Sequence, residues 1–275
     1  MNDRFAARRA AFRKLHESGC FLIPNPWDAG SARALEKLGF KALATTSSGF
    51  AWSGAKPDHA PRVEEVLAHC REIVEASGLP VNADFEDGHA RDLDGLRANV
   101  RGCIETGVAG LSIEDSTGDA AQPLYEFDEA VARMRAARQA IDASGEDVVL
   151  IGRAECFLVG HADPLGESIK RLRAYAEAGA DCLYAPGAGK PEDIRAIVEA
   201  VAPKPVNVLV GRAAPYTLAG LAKLGVRRIS VGGALAGAAW GGFLRAARGL
   251  AEGRFDGFAE NATHAELNAL FEDRT

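Results

Sequence analysis

The chain has 275 residues, 47% hydrophobic and 25% charged, the balance of a globular protein able to bury a large core without staples. Its net charge of −6, with no basic stripe, argues against a nucleic-acid partner, and no apolar run approaches membrane-spanning length. The five cysteines (Cys20, Cys70, Cys103, Cys156, Cys182) are scattered without a C-x-x-C pair, as expected of reduced thiols in a cytoplasmic protein.

The first nineteen residues carry Arg4, Arg8, Arg9, Arg13 and Lys14, a charge pattern that resembles a transit peptide. Phe5, Phe12 and Leu15 share one face at helical spacing, however, and predict a packed N-terminal helix. Eight apolar strand candidates follow, at 21–24, 42–46, 80–84, 110–114, 148–153, 182–184, 205–210 and 228–231. Helical patterns separate nearly all of them. Leu96, Val100, Cys103 and Ile104 mark one stripe, and Val131, Met134, Ala137 and Ile141 another. Four glycines, Gly39, Gly107, Gly179 and Gly225, each sit where a helix closes just before a strand, which suits the left-handed residue that ends a helix. The strands do not alternate, as expected when both faces are covered. This order allows a closed barrel or an open doubly wound sheet. Eight strands within about 210 residues and no break between halves favour a (β/α)8 TIM barrel, a single domain over 1–275. Residues 234–275 form the last helix and a tail. Gly241-Gly242 predicts that the helix breaks or swings away there, and Leu267, Leu270 and Phe271 need cover from their own barrel or from a partner subunit.

Two stretches stand out chemically. Val81-Asn82-Ala83-Asp84-Phe85-Glu86-Asp87-Gly88 and Leu111-Ser112-Ile113-Glu114-Asp115 are apolar runs that end abruptly in carboxylates. In a barrel the site lies at the carboxyl ends of the strands. Asp84, Glu86 and Glu114 there can supply hard oxygen ligands for Mg²⁺, which prefers a few carboxylates and keeps several waters. Helix capping is the other reading of such acids. Further strand-end residues are Asn25 and Asp28, Ser47-Ser48-Gly49, Arg153 and Glu155, Tyr184, Asn207 and Gly232-Gly233. Arg153 can clamp a carboxylate in a bidentate pair, or balance Glu155 or Glu114 in a structural ion pair. Ser47-Ser48-Gly49 is either an anion nest or a plain turn, and Gly232-Gly233 either a phosphate cradle or close helix packing. His59, His69, His89 and His161 lack ligand spacing.

Asn25-Pro26-Trp27-Asp28-Ala29-Gly30-Ser31-Ala32, Thr46-Ser47-Ser48-Gly49, Asp84-x-Glu86-x-Gly88, Ile113-Glu114-Asp115 and Arg153-x-Glu155-x-Phe157 occur in that order. Together they resemble the isocitrate lyase/phosphoenolpyruvate mutase superfamily from about residue 21 to 231. The resemblance implies a barrel whose eighth helix is exchanged between subunits, in a homodimer or a homotetramer built as a dimer of dimers. It implies Mg²⁺ near Asp84, Glu86 and Glu114, and a small 2-oxo carboxylate ligand like pyruvate, oxaloacetate or 2-oxoglutarate. Trp27, Ser47, Ser48, Gly49, Asp84, Arg153 and Asn207 become substrate-binding candidates, and Asp58, Arg153 and Glu114 catalytic ones. The shared chemistry is an enolate stabilised after a C–C or P–C bond breaks.

The departures narrow the reaction. Where the family's lyases carry a Lys-Lys/Arg-Cys-Gly-His loop, this chain reads Ser116-Thr117-Gly118-Asp119-Ala120-Ala121. The cysteine acid is gone, and so is the lysine of phosphonate-cleaving members. Tyr184 stands where mutase-like members have histidine, and Glu86 replaces the second aspartate of Asp-x-Asp-x-Gly. The expectation is a Mg²⁺-dependent lyase acting on an oxaloacetate- or methylisocitrate-like diacid, with Asp58, His59 or Tyr125 carrying protons. A phosphonate mutase or hydrolase, a non-catalytic 2-oxo acid binding protein, and an unrelated barrel with capping acids are the alternatives.

Overall fold

The computed structural model describes residues 3–272. A first helix, α1 (Asp3–Leu15), precedes β1 (Phe21–Ile23), α2 (Ala29–Lys37), β2 (Leu43–Ala44), α3 (Ser47–Ser53), α4 (Val63–Ala76) and β3 (Val81–Asp84). Next come α5 (Leu93–Glu105), β4 (Gly110–Glu114), α6 (Phe127–Ser144), β5 (Val149–Arg153), α7 (Pro164–Glu177) and β6 (Cys182–Tyr184). The chain continues through α8 (Pro191–Val201), β7 (Val206–Leu209), α9 (Leu218–Lys223), β8 (Arg228–Ser230), α10 (Ala234–Ala251), a single 3₁₀ turn (Asp256–Phe258) and α11 (His264–Phe271). All eight expected strands are present.

The strands run β1-β8-β7-β6-β5-β4-β3-β2, every neighbouring pair parallel. This is the (β/α)8 barrel expected from the alternation. At the β1/β2 seam the regular ladder is replaced by two bonds. The Ala44 N–H donates to the Pro24 carbonyl at 3.0 Å, and Asn25 Nδ2 donates to the Thr45 carbonyl at 2.8 Å. Pro24 has no N–H to return, so the ladder cannot propagate there.

Two apolar layers hold the barrel. The larger lies between the sheet and the helices, with Leu35, Ile73, Leu96, Met134 and Leu172 buried. The inner one fills the barrel with Ile23, Ala44, Val149, Ile151 and Cys182, plugged at the amino end by Phe12. Gly110 is required beneath that plug, because a Cβ there would stand 2.6 Å from the Phe12 ring. Phe5 packs over Gly107, and Arg9 donates to the Val108 and Ile104 carbonyls, so α1 is the packed helix its spacing predicts. Gly39, Gly107, Gly179 and Gly225 all take positive φ (88° to 105°), as helix-closing residues should.

The predicted break at Gly241-Gly242 does not occur. Helix α10 runs unbroken from Ala234 to Ala251, because each glycine costs a helix only about 1 kcal/mol and the flanking Ala, Leu and Trp sustain it. The tail folds back on its own barrel. Lys37 of α2 donates to the Ala269 and Glu272 carbonyls, and the Phe271 ring covers Gly30. Trp240, Phe243 and Leu244 of α10 stay exposed.

Candidate active site

A cavity of ≈ 170 Å³ opens at the carboxyl ends of the strands. Ser47, Ser48, Asp58, Asp84, Arg153 and Gly233 line its mouth, and Asn82, Ser112, Arg228 and Ser230 line it further down. The strand register sets these depths. Asp84 and Arg153 end their strands, whereas Arg228 begins β8.

Arg153 is the hub of the upper part. Its Nη1 lies 2.9 Å from Asp84 Oδ1 and 3.0 Å from Glu114 Oε2, and its Nε donates to Glu155 Oε1. Both expected ion-pair partners are therefore real, and Asp84 is a third. Burial pushes the Glu114 carboxyl well above the usual carboxylate range against the pull of Arg153, and Glu155, Asp84 and Glu86 push it further. Glu155 is raised for the same first reason. Burial alone would weaken the Arg153 cation, but Glu114, Glu155 and Asp84 reverse that and hold it charged. The cluster is anionic overall.

Glu86 is bonded to His59 rather than to Arg153. It sits at φ 46° in the tight turn closed by the Gly88 N–H to the Phe85 carbonyl, a left-handed position for a side chain. His59, also left-handed at φ 62°, donates Nδ1–H to Glu86 Oε2 at 3.0 Å. That bond lifts the imidazole to about 9 against partial burial. His59 Nε2 is 4.0 Å from Asp58 Oδ2, and Asp58 lines the cavity. A chain Glu86–His59–Asp58 thus reaches the mouth from the loop after α3.

The other expected residues divide. The Ser47-Ser48-Gly49 segment is the first turn of α3 rather than a free turn, capped by Thr46. Its Ser47 N–H donates to Asp84 Oδ2 (3.1 Å) and its Gly49 N–H to Thr46 Oγ1 (3.3 Å), so two of the three nest donors are already used. Gly49 is buried against Thr46 and Trp27, and Trp27 lines a separate hollow with Trp240 and Phe243. Asp28 caps α2. Asn25 Oδ1 accepts the Val231 and Gly232 N–H groups and shapes the rim. Gly233 packs on Ser48, whose Oγ would be 2.6 Å from a Cβ, so close packing accounts for that glycine, and Gly232 and Gly233 both line the cavity. Tyr125 donates its hydroxyl to Asp87 at 2.7 Å, away from the cavity. Asp115 receives Tyr175 and Arg171 and ties β4 to α7.

Sequence reasoning missed Arg228. It is buried, donates Nε–H to Asn207 Oδ1 at 3.0 Å and reaches Asn82 Oδ1 at 3.5 Å. The signal was there: Asn82, Ser112, Asn207, Arg228 and Ser230 are polar residues inside apolar strand runs, all turned into the barrel. Asn207 therefore holds Arg228 rather than lining the cavity itself.

The acids suit a hard divalent cation in donor chemistry and in their excess of negative charge. Among the described residues, though, no three His, Cys, Asp or Glu side chains gather at one metal-sized point. Asp84, Glu86 and Glu114 are neighbours, each already engaged by Arg153 or His59. A metal bound there would compete with Arg153 and His59 for these oxygens.

A family model described as phosphoenolpyruvate phosphomutase matches residues 12–251. Oxaloacetate decarboxylase of Paraburkholderia xenovorans is 29% identical over 231 residues, covering 81% of this chain and 74% of the relative. A solved structure from Burkholderia cenocepacia J2315, carrying a provisional lyase/mutase assignment, is 45% identical with a TM-score of 0.94 and 98% of each chain covered. The structure of an oxaloacetate acetylhydrolase with its product oxalate is 26% identical, TM-score 0.85, covering 97% and 94%.

Proposed function

The chain belongs to the phosphoenolpyruvate phosphomutase family, whose relatives are lyases and mutases, and from that premise we propose that it cleaves or forms a C–C bond next to a small 2-oxo acid. The substrate is an oxaloacetate- or methylisocitrate-like diacid, and the reaction passes through an enolate. The observation that carries this is the anionic cluster of Asp84, Glu114 and Glu155 around Arg153 at the cavity mouth. Two of the relatives named above act on oxaloacetate by their names, which supports the choice of substrate class.

Asp84, Glu86 and Glu114 would hold a divalent cation, Mg²⁺ by its hard oxygen donors. Bound there, such an ion supplies Lewis-acid stabilisation of enolate charge. Arg153 orients Asp84 and Glu114 by its fixed fork. Asp58 Oδ is the proton carrier at the cavity, and His59, charged below about 9 through Glu86, keeps it supplied from the exposed loop. The loop 116–124, closed by the Ser116–Leu124 bridge, brings no cation for a phosphonyl group, which disfavours the phosphonate reading.

Assembly belongs to the same proposal. Exposed Trp240 and Phe243 with Trp27 form an apolar hollow that a second copy of the chain would cover, in a dimer or tetramer. All five cysteines are free thiols, which supports a reducing, cytoplasmic setting, and no helix among the described residues is long and apolar enough to cross a membrane.

The test is Mg²⁺-dependent loss of oxaloacetate, together with C3 proton exchange of pyruvate in D₂O followed by NMR. Activity that EDTA removes is expected. Metal-dependent binding of these acids with neither turnover nor exchange would replace the enzyme reading by that of a binding protein.

A further inference from the structure

Two guanidinium groups line the same cavity. Arg153, at the mouth, is engaged by Asp84, Glu114 and Glu155. Arg228, deeper in, has no carboxylate within ion-pair distance among the described residues. Its contacts are with neutral groups, Nε to Asn207, a long Nη1 contact to Asn82 and the Phe12 ring 6.0 Å from the guanidinium carbon, and no hydrogen bond from Nη2 is found among the described residues. The residue is 3% exposed. A buried, unmatched cation is costly, by several kcal/mol in ordinary cases. The neighbouring Asn82, Ser112 and Ser230 are uncharged, so none of them neutralises the cation. Meanwhile the donors expected to receive a substrate carboxylate are largely committed, at Ser47, Gly49 and Arg153. An acidic ligand entering this cavity meets one open cation.

We propose that Arg228, held by Asn207 and Asn82, is a binding residue for a carboxylate of the ligand at the floor of the cavity. The subsite selects oxo acids carrying a second carboxylate over neutral or monoacid analogues. This inference rests on the reading of the cavity as a 2-oxo acid site. Its ligand-side partner is an anionic oxygen pair that accepts from Nη2 and from the Ser230 hydroxyl, while Asn207 keeps the guanidinium plane fixed.

Two variants separate this role from a structural one. Arg228→Met removes the cation. Asn207→Asp places a carboxylate where Asn207 Oδ1 now accepts Arg228 Nε, giving the guanidinium an internal counter-ion, so that the fold is kept while the ligand is displaced. Titration calorimetry in EDTA uses malonate as the dianion and malonamide as its neutral analogue. The wild-type protein prefers malonate, and each variant weakens malonate by roughly tenfold to a hundredfold, the worth of a charged hydrogen-bonded contact. Malonamide affinity stays constant. Arg228→Lys, which keeps a cation without the fork, recovers part of the loss.

Malonate affinity unchanged in Asn207→Asp overturns the inference, as does equal weakening of malonate and malonamide. Oxaloacetate turnover in Mg²⁺ is measured on the same proteins. Turnover with an unaltered KM in both variants sinks the subsite and leaves the enzyme reading intact. Malonate binding through Arg228 without turnover by the wild type keeps the subsite and sinks the enzyme reading.

Discussion

The two arginines of the cavity teach more together than either alone. Arg153 is a matched charge: it binds three acids, Asp84, Glu114 and Glu155. Arg228 is an unmatched one, among amides and hydroxyls, and burial pushes its pKa below the ordinary value. The first is a structural keystone whose function lies in the acids it arranges. The second is buried with no carboxylate in ion-pair reach among the described residues, which is the observation that asks for a ligand.

Substitution at Asp84 should produce the largest effect. Asp84→Asn keeps the shape but removes the carboxylate that faces both Arg153 and the cavity. Metal-dependent enolate exchange should fall by roughly 10²–10³-fold, the scale of losing one preorganised electrostatic contact. Unimpaired exchange would take Asp84 out of the site.

The two arginines then separate in stability. Arg153→Met strands buried Glu114 and Glu155 and should cost about 3–5 kcal/mol in denaturant unfolding. The sign with pH follows from their raised carboxyls: the folded variant binds more protons than the unfolded chain, so its stability should recover as pH falls. Arg228→Met, which replaces an unmatched cation by an apolar chain, should leave stability unchanged or raised. Equal destabilisation by both would erase the distinction.

His69 sharpens the same idea at a neutral group. Its ring stacks on Phe50, its Nε2 has no partner, and burial lowers it to about 4, with Asp28 a minor opposing influence. Between about 6.5 and 4 the unfolded chain takes up a proton that the folded chain refuses. This contribution therefore lowers stability as pH falls, by about 1.4 kcal/mol for each full unit inside that window. His69→Phe should flatten that slope in melts at pH 7, 6 and 5; an unchanged slope would assign it to other groups.

Tyr125→Phe is the smallest change. It removes one hydrogen bond to Asp87, about 1 kcal/mol, and should leave turnover intact because the hydroxyl lies off the cavity. A large loss of activity would restore Tyr125 as a proton carrier.

Much of this was legible in the chain. The eight strands, the helix-closing glycines at 39, 107, 179 and 225, and the acids at the ends of β3 and β4 all follow from local pattern, because strand and helix periods and left-handed glycine are local physics. Motif spacing likewise put Asp84, Glu114 and Arg153 at one end of the barrel. Local pattern misled at Gly241-Gly242, where propensity counts two weak residues but neighbouring helical residues carry the helix. It also could not tell Asp28, a cap, from Asp84, a carboxylate that lines the cavity, since both follow a strand.

What the sequence by itself determined is the order of strands and helices and the polar residues at their ends. Tertiary structure alone decided which of those residues face one another. It turned Tyr125 to Asp87, drew Arg153 to three acids and left Arg228 facing amides. The reason is physical: the charge state and exposure of a side chain depend on partners distant in the chain, and only closure of the barrel brings those partners within a few ångströms.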